Sequence, residues 1–199
     1  MKPLATIVRQ STRWILLFSG HMIDLPGRAL PRFPAHKEAG AAVRICAVLD
    51  QLCAAPEDLA LTQGACGGDI LFTEACLARG VPVCWLQPFR EPDFIRNSVL
   101  RGGEDWHRRY QLARAGLAGP IRSMPDELGD PSEDSPALSP YERCNLWLLD
   151  TALACGPDRV RFICLWDGGG GDGPGGTAHM LGEVQRRAGQ VIWIDTRHL

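Results

Sequence analysis

This 199-residue sequence has no long apolar run, no surplus of basic charge and no closely paired cysteines, and each absence closes off a class of protein. Its longest apolar stretch is far shorter than the ~20 residues that cross a bilayer, so no membrane-spanning helix is expected. The N-terminus lacks an apolar core followed by a small-residue cleavage site, so no secretory leader is expected either. Lys and Arg number 21 against 23 Asp and Glu, a net charge of -2. The basic residues are scattered, without interleaved aromatics, which argues against a nucleic-acid or membrane-surface binder. Eight cysteines occur, but none in a CxxC pair, so zinc and thioredoxin-type chemistry have no support. Cys46, Cys53, Cys76, Cys144 and Cys155 fall in helix-like segments, and Cys84 and Cys164 in strand-like ones. They read as small buried hydrophobes in a reducing cytoplasm rather than as a disulfide framework. The length suits one well-buried domain and is short for two, so residues 1–199 are expected to form a single domain.

What is present is concentrated in the C-terminal quarter. The β-type run from Val160 to Trp166 ends at Asp167, and seven glycines fill the nine positions from Gly168 to Gly176, with Asp172 and Pro174 between them. A helical pattern then starts at Thr177. Ordering glycine costs backbone entropy, so a long glycine turn calls for a reason. Strand, glycine turn and helix start together let backbone N–H groups approach an anion. A plain surface connection is the alternative.

Taken in order, residues 1–12 read as a lead-in. Trp14–Phe18 is a continuous apolar run of the kind found in a central parallel strand, and it stops at Ser19-Gly20-His21. Residues 22–34 carry Pro26, Gly27, Pro31 and Pro34 and are expected to be an irregular binding loop or lid, with Arg28 and Arg32 as mobile charges. Residues 36–55 read as a helix burying Ala41, Ile45, Val48, Leu49 and Leu52. A strand, Leu59–Thr62, leads to Gln63-Gly-Ala-Cys-Gly-Gly68-Asp69. The next helix carries Leu71, Ala75 and Ala78 on one face and is closed by Gly80. Val81–Leu86 is a third strand, with Pro82 hinting at a sheet edge. Helices are expected near 91–100 and 104–116. Residues 119–140, rich in Pro, Asp and Glu, read as a solvated acidic excursion. A helix over 141–154 aligns Leu146, Leu149 and Leu153. After the fourth strand and the glycine turn come a helix over 177–188, stopped by Gly189, and a last strand, Val191–Ile194.

Alternating strands and helices imply an α/β fold: a Rossmann-like open parallel sheet of about five strands with helices on both faces. Such a sheet gathers its strand C-termini on one rim, where ligands bind. The turns at Ser19-Gly20, Gly64–Asp69 and Asp167–Thr177 would all lie there, pointing to a nucleotide-type pocket. Helix N-termini near Gly68 and Thr177 would aim free N–H groups into it. Thr177 is a helix cap or a hydroxyl donor to phosphate; Asp69 is a cap or a partner for a ribose hydroxyl. Asp167 and Asp172 would repel phosphate unless turned outward or bonded to a sugar or a metal. His21 is a structural histidine or a base, and the same choice applies to His107 and His179. Arg143 and Asn145 could face the pocket or pair at the surface. Of the tryptophans, only Trp166, at the mouth of the glycine turn, is a candidate for base stacking; Trp85, Trp106, Trp147 and Trp193 read as core or interface aromatics.

Phe18-Ser-Gly20, the Gln63–Asp69 segment with Ala75, and Gly173-Pro-Gly-Gly176-Thr177 together resemble the SLOG superfamily over residues 14–195. These Rossmann-like domains include the LOG-type phosphoribohydrolases, the DNA-processing protein A fold and nucleotide-sensing domains of bacterial conflict systems. The chain looks most like the SLOG-type modules of bacterial signalling proteins. The rim turns and the resemblance together give the expected ligand contacts as Ser19, Gly20, His21, Gly67, Gly68, Asp69, Asp167, Gly173, Gly175, Gly176, Thr177 and Arg143. The LOG-type signature Pro-Gly-Gly-x-Gly-Thr-x-x-Glu is altered here: Pro174-Gly175-Gly176 runs straight into Thr177, and Met180 stands where the catalytic glutamate would be. Glu183 lies one turn further on and could substitute only with a register shift. Arg28, Arg90 and Arg143 are the arginines available for catalysis.

The expected function is therefore binding or sensing of a nucleotide or nucleotide-derived ligand in cytoplasmic bacterial signalling or defence. The alternative is a nucleotide N-glycosidase using Asp69, Glu74, Asp172 or Glu183. A third reading is an oligomerisation domain with a degenerate pocket. No cofactor beyond a nucleotide-type ligand, and no metal, is expected. Family analogy implies a homodimer, or a module of a larger signalling protein.

Overall fold

Parallel strands shielded on both faces are apolar throughout, and Ile15–Gly20 (β1) meets that condition, with Ile15 to Phe18 all buried. The computed structural model describes residues 12–129, 138–170, 175–187 and 190–199. Expectations falling on residues 1–11, 130–137, 171–174 and 188–189, among them Asp172, Gly173 and the Gly189 helix stop, lie outside the described residues.

The remaining strands are Leu59–Thr62 (β2), Val83–Gln87 (β3), Arg122–Ser123 (β4), Val160–Trp166 (β5) and Val191–Asp195 (β6). The helices are Glu38–Gln51 (α1), Gly68–Leu77 (α2), Glu91–Phe94 (α3), Glu104–Ala115 (α4), Met124–Leu128 (α5), Pro140–Leu153 (α6) and Thr177–Arg187 (α7). The six strands form one parallel sheet in the order β4-β3-β2-β1-β5-β6. This is the Rossmann-like open sheet that the alternation implied, with one more strand.

Because successive side chains on a strand point to opposite faces, each strand feeds two cores. Leu16, Phe18, Ala60, Val83, Trp85 and Ile163 pack under α1, α2 and α4. Phe18 stacks on Phe72 of α2, their ring centroids 4.5 Å apart. Ile15, Leu17, Leu61, Cys84, Phe162 and Cys164 pack under α6 and α7. Among the described residues no helix is long and apolar enough to cross a membrane.

Several expectations need correction. The fourth strand and α5 arise inside residues 119–140, where the density of proline and acid gave no strand signal. The strand is two residues long and is held by β3 at Leu86 and Gln87. Pro82 therefore marks no edge: it precedes β3, and its carbonyl accepts the Ala60 N–H at 2.9 Å. Helix α2 is buried nearly all round, with Ile70, Phe72 and Cys76 inside and Ala78 exposed, because it lies between α1 and α4. In α6 the buried face is Cys144, Trp147, Leu148, Leu149 and Ala152 rather than the Leu146–Leu149–Leu153 stripe. Cys53 and Cys155 fall just past the ends of α1 and α6. All eight cysteines are free.

Candidate functional site

Strands β1 and β5 lie side by side, yet the chain leaves them in opposite directions. From β1 it passes to the α1/α2 face and on to β2; from β5 it passes to the α7 face and on to β6. The divergence opens a crevice beyond their C-terminal ends. A cavity of about 450 Å3 occupies it. The structure brings Ser19, Gly20, His21, Asp69, Gly175, Gly176 and Thr177 together in its lining, as the turns implied. Asn145 and Trp166 line it too, so Asn145 faces the pocket rather than pairing at the surface.

The two glycine turns do different work. In the turn before α2, Gly67 has φ +100, and a Cβ there would lie 2.5 Å from the Ile23 nitrogen. Gly64 has φ +88 and backs onto the Trp85 ring. The Gly68 N–H donates to the His21 carbonyl at 3.0 Å, and the Ile23 N–H to the Cys66 carbonyl at 3.2 Å. The Gly68 amide is thus engaged by the protein itself, contrary to the expectation that it would face a ligand. A backbone packed that closely against a neighbouring strand end leaves the Gly67–Gly68 segment no room for one.

In the turn before α7 the arrangement reverses. The Gly175 carbonyl accepts from Asn145 Nδ2 at 2.7 Å, while the amides of Gly176, Thr177 and Ala178 have no acceptor among the described residues. Such N–H groups in a first helical turn carry partial positive charge. The Thr177 hydroxyl is buried and accepts from Ser19 Oγ at 3.4 Å. It acts as no intrahelical cap in the described structure.

His21 is buried at the end of β1. Its Nε2 lies 3.0 Å from Asp167 Oδ1 and 3.1 Å from the Asp167 amide nitrogen. One ring nitrogen serves one of these at a time: it donates to the carboxylate when protonated and accepts the amide when bare. Burial lowers the imidazole pKa, with Arg32 adding to the effect and the Asp167 hydrogen bond opposing it. A neutral ring is therefore favoured at neutral pH. At Asp167 burial acts to raise the pKa, but the Gly169 amide, His21 and Arg32 outweigh it, and the carboxylate sits below its usual range. Asp167 turns to His21 and Gly169, away from the cavity lining.

Asp69 is the one carboxylate in the described cavity lining. Burial pushes it up to about 6, against the pull of the Ala65, Gly64 and Gly20 amides. Its Oδ2 accepts from the Ala65 N–H at 3.2 Å, so it ties the β2–α2 turn together as well as facing the pocket.

Other candidates fall elsewhere. Arg143 does not line the cavity, because its position on α6 is turned away from that of Asn145. Glu183 pairs with Arg186 on the outer side of α7, and Glu74 with Arg109. Arg90 pairs with Asp126 and Arg28 with Asp24. The 22–34 loop is pinned rather than mobile: Asp24 Oδ2 accepts the N–H groups of Arg32 and Phe33, and Phe33 is fully buried. Met180 is buried in the α7 core.

Sequence reasoning missed Ser98, Arg101 and Tyr141, all in the lining, and undervalued Arg32. The available signal was Gly102-Gly103, which breaks the helical run after β3 and so marks a third connection at the same rim. Arg101 has no carboxylate partner among the described residues and is exposed. Arg32 and Arg101 are the two arginines in the described lining. Among the described residues no cluster of three or more His, Cys, Asp or Glu could hold a metal ion. Compared with known proteins, the chain matches no family model and no curated protein.

Proposed function

We propose that this chain binds a nucleotide or a nucleotide-derived anion in the switch-point cavity and acts as a sensing domain of the kind used in bacterial signalling or defence. One observation carries the reading: a cavity of about 450 Å3 at the β1/β5 divergence is lined by Arg101 and by Gly176, Thr177 and Ala178, whose amides have no acceptor among the described residues. That volume suits a nucleoside with its phosphates, whereas a lone phosphate would leave most of it empty. Aromatic and apolar groups from Phe18, Met22, Tyr141 and Trp166 supply surface for a base. The likeness to SLOG-type modules supports the signalling context.

A second reading, nucleotide N-glycosidase, is favoured by Asp69, whose pKa of about 6 suits proton transfer near neutrality. Against it, Met180 cannot stabilise an oxocarbenium ion, and Glu183 lies outside the lining. The test is isothermal titration against a panel of nucleoside mono- and diphosphates, cyclic nucleotides and ADP-ribose, with chromatography of the same mixtures for free base. Saturable binding without base release is the expected result. Base release would transfer the assignment to the hydrolase, and an absence of binding across the panel would leave the oligomerisation reading.

A further inference from the structure

The α7 turn is held in place by a side chain on a different helix. Asn145, on the second turn of α6, is almost completely buried, with 1% of its surface exposed, and both ends of its amide are engaged. Its Nδ2 donates to the Gly175 carbonyl at 2.7 Å, and its Oδ1 accepts from Gln63 Nε2 at 3.1 Å. The amide orientation is fixed chemically, because a carbonyl can only accept and must therefore face the nitrogen. The chain contains no cis peptide among its described bonds, so the Gly175–Gly176 unit is trans. In a trans peptide the C=O and the following N–H point in opposite directions. By holding the Gly175 carbonyl, Asn145 fixes the direction of the Gly176 N–H in a turn whose residues Gly176, Thr177 and Ala178 line the cavity. Gly175 is also pressed against α6: a Cβ there would lie 2.5 Å from the Glu142 nitrogen and 2.6 Å from Tyr141 Cβ.

We infer that Asn145 is a positioning residue for anion binding, orienting the Gly176 amide toward a phosphate group and linking that turn, through Gln63, to the end of β2. This rests on the binding reading above and adds to it the means by which the Gly175–Gly176 peptide is kept in one orientation. Glycine alone would leave the peptide free to rotate, and an amide that must be reoriented binds an anion more weakly than one already aimed. The buried amide also makes the anion site depend on α6, an element that contributes no charge to it.

The experiment is a 15N–1H correlation titration with inorganic phosphate, which is independent of base identity. It compares the full chain with Asn145→Leu, which is neutral and of similar size. Asn145→Ser, too short to reach Gly175, answers the same question if the Leu variant does not fold. The Gly68 amide, already bonded to the His21 carbonyl, is the internal control. In the parent chain the Gly176 and Thr177 cross-peaks should move saturably with phosphate while Gly68 stays in place. In the variant the phosphate dissociation constant should rise roughly 10- to 100-fold, the worth of a hydrogen bond to a charged group, with the Gly68 peak unchanged. Equal constants in both chains, or no saturable Gly176 shift in the parent, would overturn the inference. So would a loss accompanied by displacement of the Gly68 peak, which would mean a general structural role. Phosphate binding at Gly176 without any nucleotide binding would instead remove the nucleotide reading and leave this one standing.

Discussion

The turn before α2 and the turn before α7 look alike as strings of glycine, and their difference explains the site. In the first, glycine is needed because backbone meets backbone: Gly67 lies against His21, Met22 and Ile23, and Gly68 against Gly20. In the second, among the described residues, Gly168 lies against Trp193 and Gly175 against α6, while an added Cβ at Gly170 would meet nothing within 4 Å. The first turn is closed by its own neighbouring backbone, and the second brings Gly175 and Gly176 into the lining of the crevice. Glycine content alone therefore does not say why a glycine is there: protein excludes a side chain at Gly67 and Gly175, and nothing excludes one at Gly170.

The sharpest way to break this contrast is Gly67→Ala. With φ +100 and three backbone atoms within 2.9 Å of the new Cβ, stability should fall by roughly 3 kcal/mol or more, read by urea unfolding. A tolerated alanine would mean the turn is not closed as described. A comparable effect depends on pH. Asp69 keeps its proton up to about 6 in the folded chain, against an ordinary value of 3.8. The folded state thus holds the extra proton between those values, so the contribution is full below about pH 4 and is lost as pH rises through 6. The total is roughly 3 kcal/mol. Asp69→Asn should abolish that slope, giving a stability relative to the parent that improves between pH 4 and pH 7.

Smaller effects follow on the ligand side. Arg101→Ala should weaken a phosphorylated nucleotide about tenfold, with a shallower salt dependence and an unchanged melting temperature, because no described carboxylate depends on it. Arg143→Ala, outside the lining, should leave the affinity where it was. Smallest of all, Gly170→Ala should shift stability by no more than about 0.5 kcal/mol. A large loss there would make the two turns equivalent after all.

The sheet was readable in the sequence because a buried parallel strand must be apolar throughout: Ile15–Phe18, Leu59–Leu61 and Phe162–Leu165 declare themselves by composition. The helix stripe of α1 was equally plain. The fourth strand was not, since two residues pairing at Leu86 and Gln87 have no pattern of their own and exist only because β3 offers an open side. At the site, Ser19, His21, Asp69 and Thr177 were legible from their places after strands or at helix starts. Arg101 and Tyr141 were not: Arg101 lies in a 3-10 turn too short for any periodicity to say which way a side chain turns, and Tyr141 is only the second residue of α6. The choice between Arg143 and Asn145, two residues apart on one helix, depended on the rotation of α6 against the sheet.

By itself the sequence determined the layer order, the rim on which the turns gather and the near balance of charge, since these follow from local periodicity and from the handedness of parallel crossovers. Only the tertiary structure decided which glycine turn has its amide engaged by the protein itself. That depends on whether another stretch of backbone already occupies the space, a contact between residues such as Gly67 and Ile23 or Gly175 and Glu142 that are remote in the chain.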